Sequence, residues 1–140
     1  MKTEDLSSTL DVGVAKRPLV LLVDDDARSA ALLARLLRAD GYDTEVTTDG
    51  AAALARLTRD PVPEVLVTEL HLPHADGLAI GRYARSRRAN IHVFLVTGHP
   101  HSSEVAAAGT EQPLVILTKP IDYADLLGRL ATALGTATLQ

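Results

Sequence analysis

Apolar residues in this chain come in short unbroken runs that end on a polar stop, and between the runs they recur every three or four positions. The first run, Leu19-Val20-Leu21-Leu22-Val23, passes straight into Asp24-Asp25-Asp26. A run of that length with polar bounds predicts a strand covered on both faces, as in a parallel sheet. Ala27 to Ala39 then places Ala30, Leu33, Leu36 and Leu37 at helical spacing, with Arg28, Arg35 and Arg38 on the wet face. Asp26 can cap this helix and Asp40-Gly41 can stop it. Tyr42 to Thr47 alternates and predicts a second strand. Asp49-Gly50 opens a short helix over Ala51 to Arg59, ending before Pro61. Val65 to Thr68 is a third strand that runs into Glu69. Gly77 to Arg88 is a helix with Leu78, Ile80 and Tyr83 as candidate core residues. Ile91 to Val96 is a fourth strand ending at Thr97-Gly98, and Ser102 to Ala108 a short helix stopped by Gly109. Leu114 to Leu117 is a fifth strand ending at Thr118-Lys119-Pro120. Asp122 caps a last helix that runs to about Leu134, where Gly135 ends it.

Strands alternating with helices five times over predict an α/β fold: a doubly wound parallel sheet covered by helices on both faces. Every strand except the second then delivers polar groups at its carboxyl end: Asp24 and Asp25, Glu69, Thr97, and Lys119. Open α/β sheets bind ligands at that edge. Singly, each group reads as an ordinary strand terminus; together on one edge they point to a site. The three adjacent acids repel one another and call for a cation, a lysine or water.

Composition narrows the picture without redirecting it. The 140 residues, 46% apolar and 23% charged, suit one globular domain. The formal net charge of −4 argues against direct nucleic-acid binding. Cysteine is absent, which removes disulfides, thiolate metal sites and thiol chemistry. No apolar run approaches the ~18 residues of a membrane span, and the start lacks the pattern of a secretory signal, so a cytoplasmic protein without membrane contact is expected. Residues 1–17 mix charges, serines and scattered apolar residues without a sustained period and are expected to form a flexible or loosely docked tail. Leu6, Leu10, Val12 and Val14 leave room for a short docking segment. The domain proper is expected over 18–135, with 136–140 a second tail. No basic helix-turn-helix follows, so no output domain is expected in the chain as given.

The ordered set Val23-Asp24-Asp25, Glu69 followed by Leu72-Pro73 and Asp76-Gly77, Thr97-Gly98, and Lys119-Pro120 resembles the receiver domain of bacterial two-component response regulators. The resemblance covers roughly Pro18 to Leu134 and implies a flavodoxin-like sheet in the order 2-1-3-4-5. In that family the acid pair and a phosphoacceptor aspartate hold magnesium, with a backbone carbonyl two residues after the acceptor. The aspartate takes a phosphoryl group from a kinase phosphohistidine, and a threonine and a lysine contact it. The resemblance assigns Asp24 and Asp25 to the acid pair, Thr97 to the switch hydroxyl, Lys119 to the lysine, His71 to the carbonyl, and a cis bond to Lys119-Pro120.

The acceptor position departs from the pattern, because it holds Glu69. The extra methylene moves the carboxylate by about 1 Å, a misplacement that can cost ~100-fold in rate. Magnesium demands near-ideal geometry, so it would be weakened or lost. Glu69 instead reaches towards Lys119 and Thr97. It either biases the domain towards a phosphorylated-like state or is tolerated in a disused pocket. Receivers usually carry an aromatic residue three positions before the lysine; here it is Ile116, which removes the ring that would follow Thr97. The segment Thr110-Glu111-Gln112-Pro113 is expected to be a loop after a shortened helix.

The reading is therefore an atypical receiver: a phosphorylation-independent protein-interaction module, not an enzyme. Its partner would be a signalling kinase, a regulator, an output protein, or a second copy in a homodimer. The alternatives are a conventional phosphorylatable regulator and a metal-dependent phosphoryl-handling enzyme using Asp24, Asp25 and Glu69. Thr68 is a minor candidate acceptor. His71, His74, His99 and His101 could approach the same edge and offer imidazoles to a transition metal, although loop histidines are more often solvated. His92 reads as structural. Arg82, Arg85, Arg87 and Arg88 read as a solvated face.

Overall fold

The alternation of buried runs and amphipathic segments closes as the pattern requires. The structure, a computed structural model, describes residues 17–108 and 114–135. The elements, in chain order, are β1 (Leu19–Val23), α1 (Ala27–Ala39), β2 (Asp43–Thr47), α2 (Gly50–Leu57), β3 (Val65–Glu69), α3 (Gly77–Arg87), β4 (His92–Thr97), α4 (Ser103–Ala108), β5 (Val115–Thr118) and α5 (Tyr123–Ala133). All strand pairs are parallel, in the order β2-β1-β3-β4-β5. The expected tails and the Thr110–Pro113 loop lie outside the described residues, apart from Arg17 and the last helix's stop at Gly135.

Successive strand residues point to opposite faces, and β1 shows the consequence. Val20 and Leu22 pack with α1 and α5 through Leu37, Leu126 and Leu130, while Leu21 and Val23 pack with α2 and α3 through Leu57 and Ile80. A smaller cluster of Leu70, Leu95 and Val105 lies under α4. Asp26, Asp49, Asp76 and Asp122 cap α1, α2, α3 and α5 by accepting from backbone N–H groups of the first turn.

The departures from the sequence reading have local causes. Leu36 is not core: it stands 38% exposed beside Leu32 at 57%. The second helix stops at Leu57, because the Thr58 hydroxyl donates to the Ala55 carbonyl at 2.7 Å and Arg59 N–H folds back on the Arg56 carbonyl. Arg87 is exposed and Arg88 half-buried, and both do more than face solvent: they donate to the carbonyls of Leu57 and Val62 and tie α3 to the end of α2 and the connection after it.

Candidate functional site

Strand register decides which side chains meet. Val23 pairs with Thr68, Glu69 with Val96, and Thr97 with Thr118. Asp24 follows β1, Glu69 and Thr97 close β3 and β4, and Lys119 follows β5, so the expected groups come out on one edge. Asp24 N–H donates to the Thr47 carbonyl at 3.1 Å, and its carboxylate accepts from Asp26 N–H at 2.9 Å, which turns the chain into α1. Glu69 closes β3 and is only 8% exposed. The backbone around it is held tightly. Leu70 N–H donates to the Val96 carbonyl and Gly77 N–H to the Leu70 carbonyl, at 2.9 and 2.7 Å. A Cβ on Gly77 would lie 2.3 Å from the Glu69 carbonyl oxygen, so α3 can start there only from glycine. Lys119 N–H donates to the Thr97 carbonyl at 2.9 Å, and the Lys119-Pro120 bond is cis, as expected.

The central contact joins Lys119 Nζ to Glu69 Oε1 at 2.6 Å. Glu69 Oε2 is buried and has no hydrogen-bond partner. Asp24, Asp25 and Glu69 can each bring one carboxylate oxygen within 4.8 Å of the others. Burial, and then the Asp24 carboxylate, push the Glu69 carboxyl up to about 7, against the pull of Lys119. Burial opposes the Lys119 charge, yet Glu69, Asp24 and Asp25 outweigh it and hold that ammonium's pKa above its usual value. Burial thus raises Glu69 and opposes Lys119, while the neighbouring carboxylates raise both; with three carboxylates facing one ammonium, the pocket favours added positive charge.

Residues 20–131 match the family described as the response regulator receiver domain. The chain belongs to this family. Response regulator MprA of Mycobacterium leprae is 34% identical over 118 residues, covering 82% of this chain and 50% of that protein. The receiver thus spans about half the length of the curated relatives it matches. Among solved structures, the receiver domain of an HD domain-containing protein from Pseudomonas fluorescens is 28% identical, with a TM-score of 0.74, covering 87% of this chain and 90% of that one. The receiver domain of a Pseudomonas aeruginosa sensor histidine kinase, described with magnesium coordinated in its active-site cleft, superposes with a TM-score of 0.73 at 22% identity, covering 86% and 99%; at that identity it speaks to the fold alone. Receiver domains are signalling modules, generally not enzymes, and bind magnesium through acidic residues.

The remaining expectations for this receiver divide. Thr97 is buried and its hydroxyl accepts from His99 N–H at 2.9 Å, so it serves its own turn and not Glu69. Thr68 is fully buried with its hydroxyl on the Glu69 carbonyl, which leaves it no access as an acceptor. The His71 imidazole turns outward to Glu104, 3.2 Å away. His74, His99 and His101 are exposed, and among the described residues the acid trio is the one group placed to hold a metal. Ile116 is half-buried against the Leu70-Leu95-Val105 cluster. Reading the sequence missed Arg56, which is 6% exposed and donates to Glu45 and to the carbonyls of Arg59 and Pro61. Its place on the inner face of α2, beside Ala53 and Leu57, was the available signal. No described helix is long and apolar enough to cross a membrane.

Proposed function

We propose that this receiver acts in the cytoplasm as a protein-interaction module of a bacterial regulatory pathway, without needing phosphorylation. The Glu69–Lys119 pair would stand where a phosphoryl group otherwise links acceptor and lysine. The 2.6 Å contact carries this reading. A nucleophilic carboxylate must present a free oxygen; Glu69 has one oxygen on Lys119 and the other buried. A partly hydrated pair contributes on the order of 1 kcal/mol, which biases a two-state balance about fivefold and does not lock it. The role falls short of an enzyme's, since no activated nucleophile is on offer. Its partner would be a kinase, a regulator or an output protein, or a second copy.

The orphaned Oε2 of Glu69, with one oxygen each from Asp24 and Asp25, fits a divalent cation such as magnesium. Those three side chains would hold it, with the His71 carbonyl completing the protein's share. Such an ion would neutralise the excess negative charge of the pocket.

Intact-mass measurement after incubation with acetyl phosphate and magnesium tests the proposal. Wild type should stay unchanged, and Glu69→Asp should gain the mass of one phosphoryl group. A gain in wild type that Glu69→Gln abolishes would overturn it.

A further inference from the structure

Among the described residues, Leu32 and Leu36 are the large apolar side chains left exposed. They stand one turn apart on α1 and, with Ile121 and Tyr123, line a groove of about 560 Å³ between α1 and the connection from β5 to α5. An exposed apolar strip of this kind marks a contact surface. The charges around it point to what it contacts.

Residues four apart on a helix form one surface row, inclined by about 26° to the axis, and helices most often pack by bringing two such rows together. On α1 the row through the two leucines reads Arg28, Leu32, Leu36, Asp40, and all four residues are exposed. It is apolar in the middle, basic at one end and acidic at the other. Each charge stands where the helix itself disfavours that sign: Arg28 in the first turn, Asp40 at the carboxyl cap. Among the described residues the Arg28 guanidinium has no ion-pair partner. The Asp40 carboxylate takes a neutral donor, the Tyr123 hydroxyl at 2.7 Å, in place of a cation.

We propose that this row is the contact of a homodimer, in which α1 packs antiparallel on α1 of a second copy about a twofold axis midway between Leu32 and Leu36. Reversing the row on itself sets Leu32 on Leu36 of the second copy. It also sets Arg28 on Asp40 of the second copy, twice over, as two ion pairs about 18 Å apart. Aligning two rows that are each inclined by about 26° crosses the helices at about 50°, the commonest class of helix packing. The antiparallel pair further sets each positive amino end against a negative carboxyl end. A twofold interface must be complementary to itself. This row has that property, which favours a second copy over an unlike partner. The inference rests on the second-copy partner named above and uses none of the chemistry of Glu69, so the phosphoryl mass measurement and the experiment below fail independently.

Sedimentation velocity of the full-length protein over ~10–500 μM tests the dimer. Wild type should associate reversibly, with the weak affinity of a small interface. Arg28→Asp and Asp40→Arg should each weaken association about tenfold or more, because each replaces two attractions with two repulsions. Both substitutions install a charge that the helix dipole favours, so both variants should stay folded. An equimolar mixture of the two should recover the dimer, since the mixed pair again meets opposite charges at both ends. Asp40→Arg also brings the net charge of −4 closer to zero, so a dimer formed through another face would tighten in that variant, and tightening overturns the proposal. A wild type that stays monomeric throughout would overturn it as well. So would a dimer indifferent to Leu32→Ser with Leu36→Ser, or a mixture that associates no better than its two components.

Discussion

At Glu69 a carboxylate is held nearly dry, beside another acid, with one ammonium in reach. Its proton affinity in the folded protein lies near pH 7, well above the ordinary value of 4.5. Between those two values the folded state keeps a proton that the unfolded chain has released. Stability must then fall as pH rises through that window and level off above it. The residual hydration of the pocket and the sharing of charge with Asp24 reduce the effect to on the order of 1–2 kcal/mol. Urea midpoints measured with chelator present should show this decline in wild type, and Glu69→Gln should flatten it. Lys119→Met removes the opposing charge, so the decline should extend above pH 7. A profile that rises across the window in wild type would mean that the ion pair outweighs burial and Asp24.

Elements are where local pattern and tertiary contact part company. Gly77 opens α3 behind its cap Asp76, and Gly128 lies inside α5. At Gly77 a Cβ would strike the Glu69 carbonyl at 2.3 Å and Leu95 at 2.8 Å, whereas at Gly128 nothing lies within 4 Å. Gly77→Ala should therefore cost about 1–3 kcal/mol by forcing α3 off β3. Gly128→Ala should stabilise by roughly 0.5–1 kcal/mol through helix propensity alone. Thermal melts of the two variants should move in opposite directions. The same contrast explains what was legible beforehand. Buried strands and their polar ends were readable because both follow from runs of a few neighbouring residues, and Asp26, Asp49 and Asp122 announce their helices for the same reason. The position of Arg56 on the inner face of α2 hinted at burial, but its partners, like those of Arg87 and Arg88, are carbonyls at the end of α2 and in the turn after it, which no local pattern names. Leu36 fits the apolar stripe of α1 by spacing, yet it stands 38% exposed while Leu33 and Leu37 on the same helix are buried. At the site, the resemblance to receivers led to the expectation that Glu69 reaches towards Lys119 and Thr97, and it meets Lys119; the turning of His71 to Glu104 and of Thr97 to His99 depended on loop paths that no periodicity encodes.

For the whole molecule, the question is how far a change at the acid pocket travels. The pocket sits on the carboxyl edge of β1, β3 and β5, while Ile116 lies in β5 against the Leu70-Leu95-Val105 cluster under α4. In the family an aromatic ring at that position follows the switch hydroxyl. An isoleucine fills its space without a ring to relocate, and the Thr97 hydroxyl is already engaged by its own turn. A packed apolar cluster has few intermediate arrangements, so a disturbance at Glu69 that finds no mobile ring should stop at the loops. Glu69→Asp treated with acetyl phosphate and magnesium should therefore shift backbone amide resonances around 69–77 and 97–99 and leave those of β5 and α5 nearly still. Adding Ile116→Tyr should carry the shifts into β5. If the single variant already moves β5 and α5, coupling runs through the backbone bond from Lys119 to Thr97, and the ring is dispensable in this receiver. Silence at β5 in both variants would mean that the strand is insulated from the pocket whatever side chain it carries.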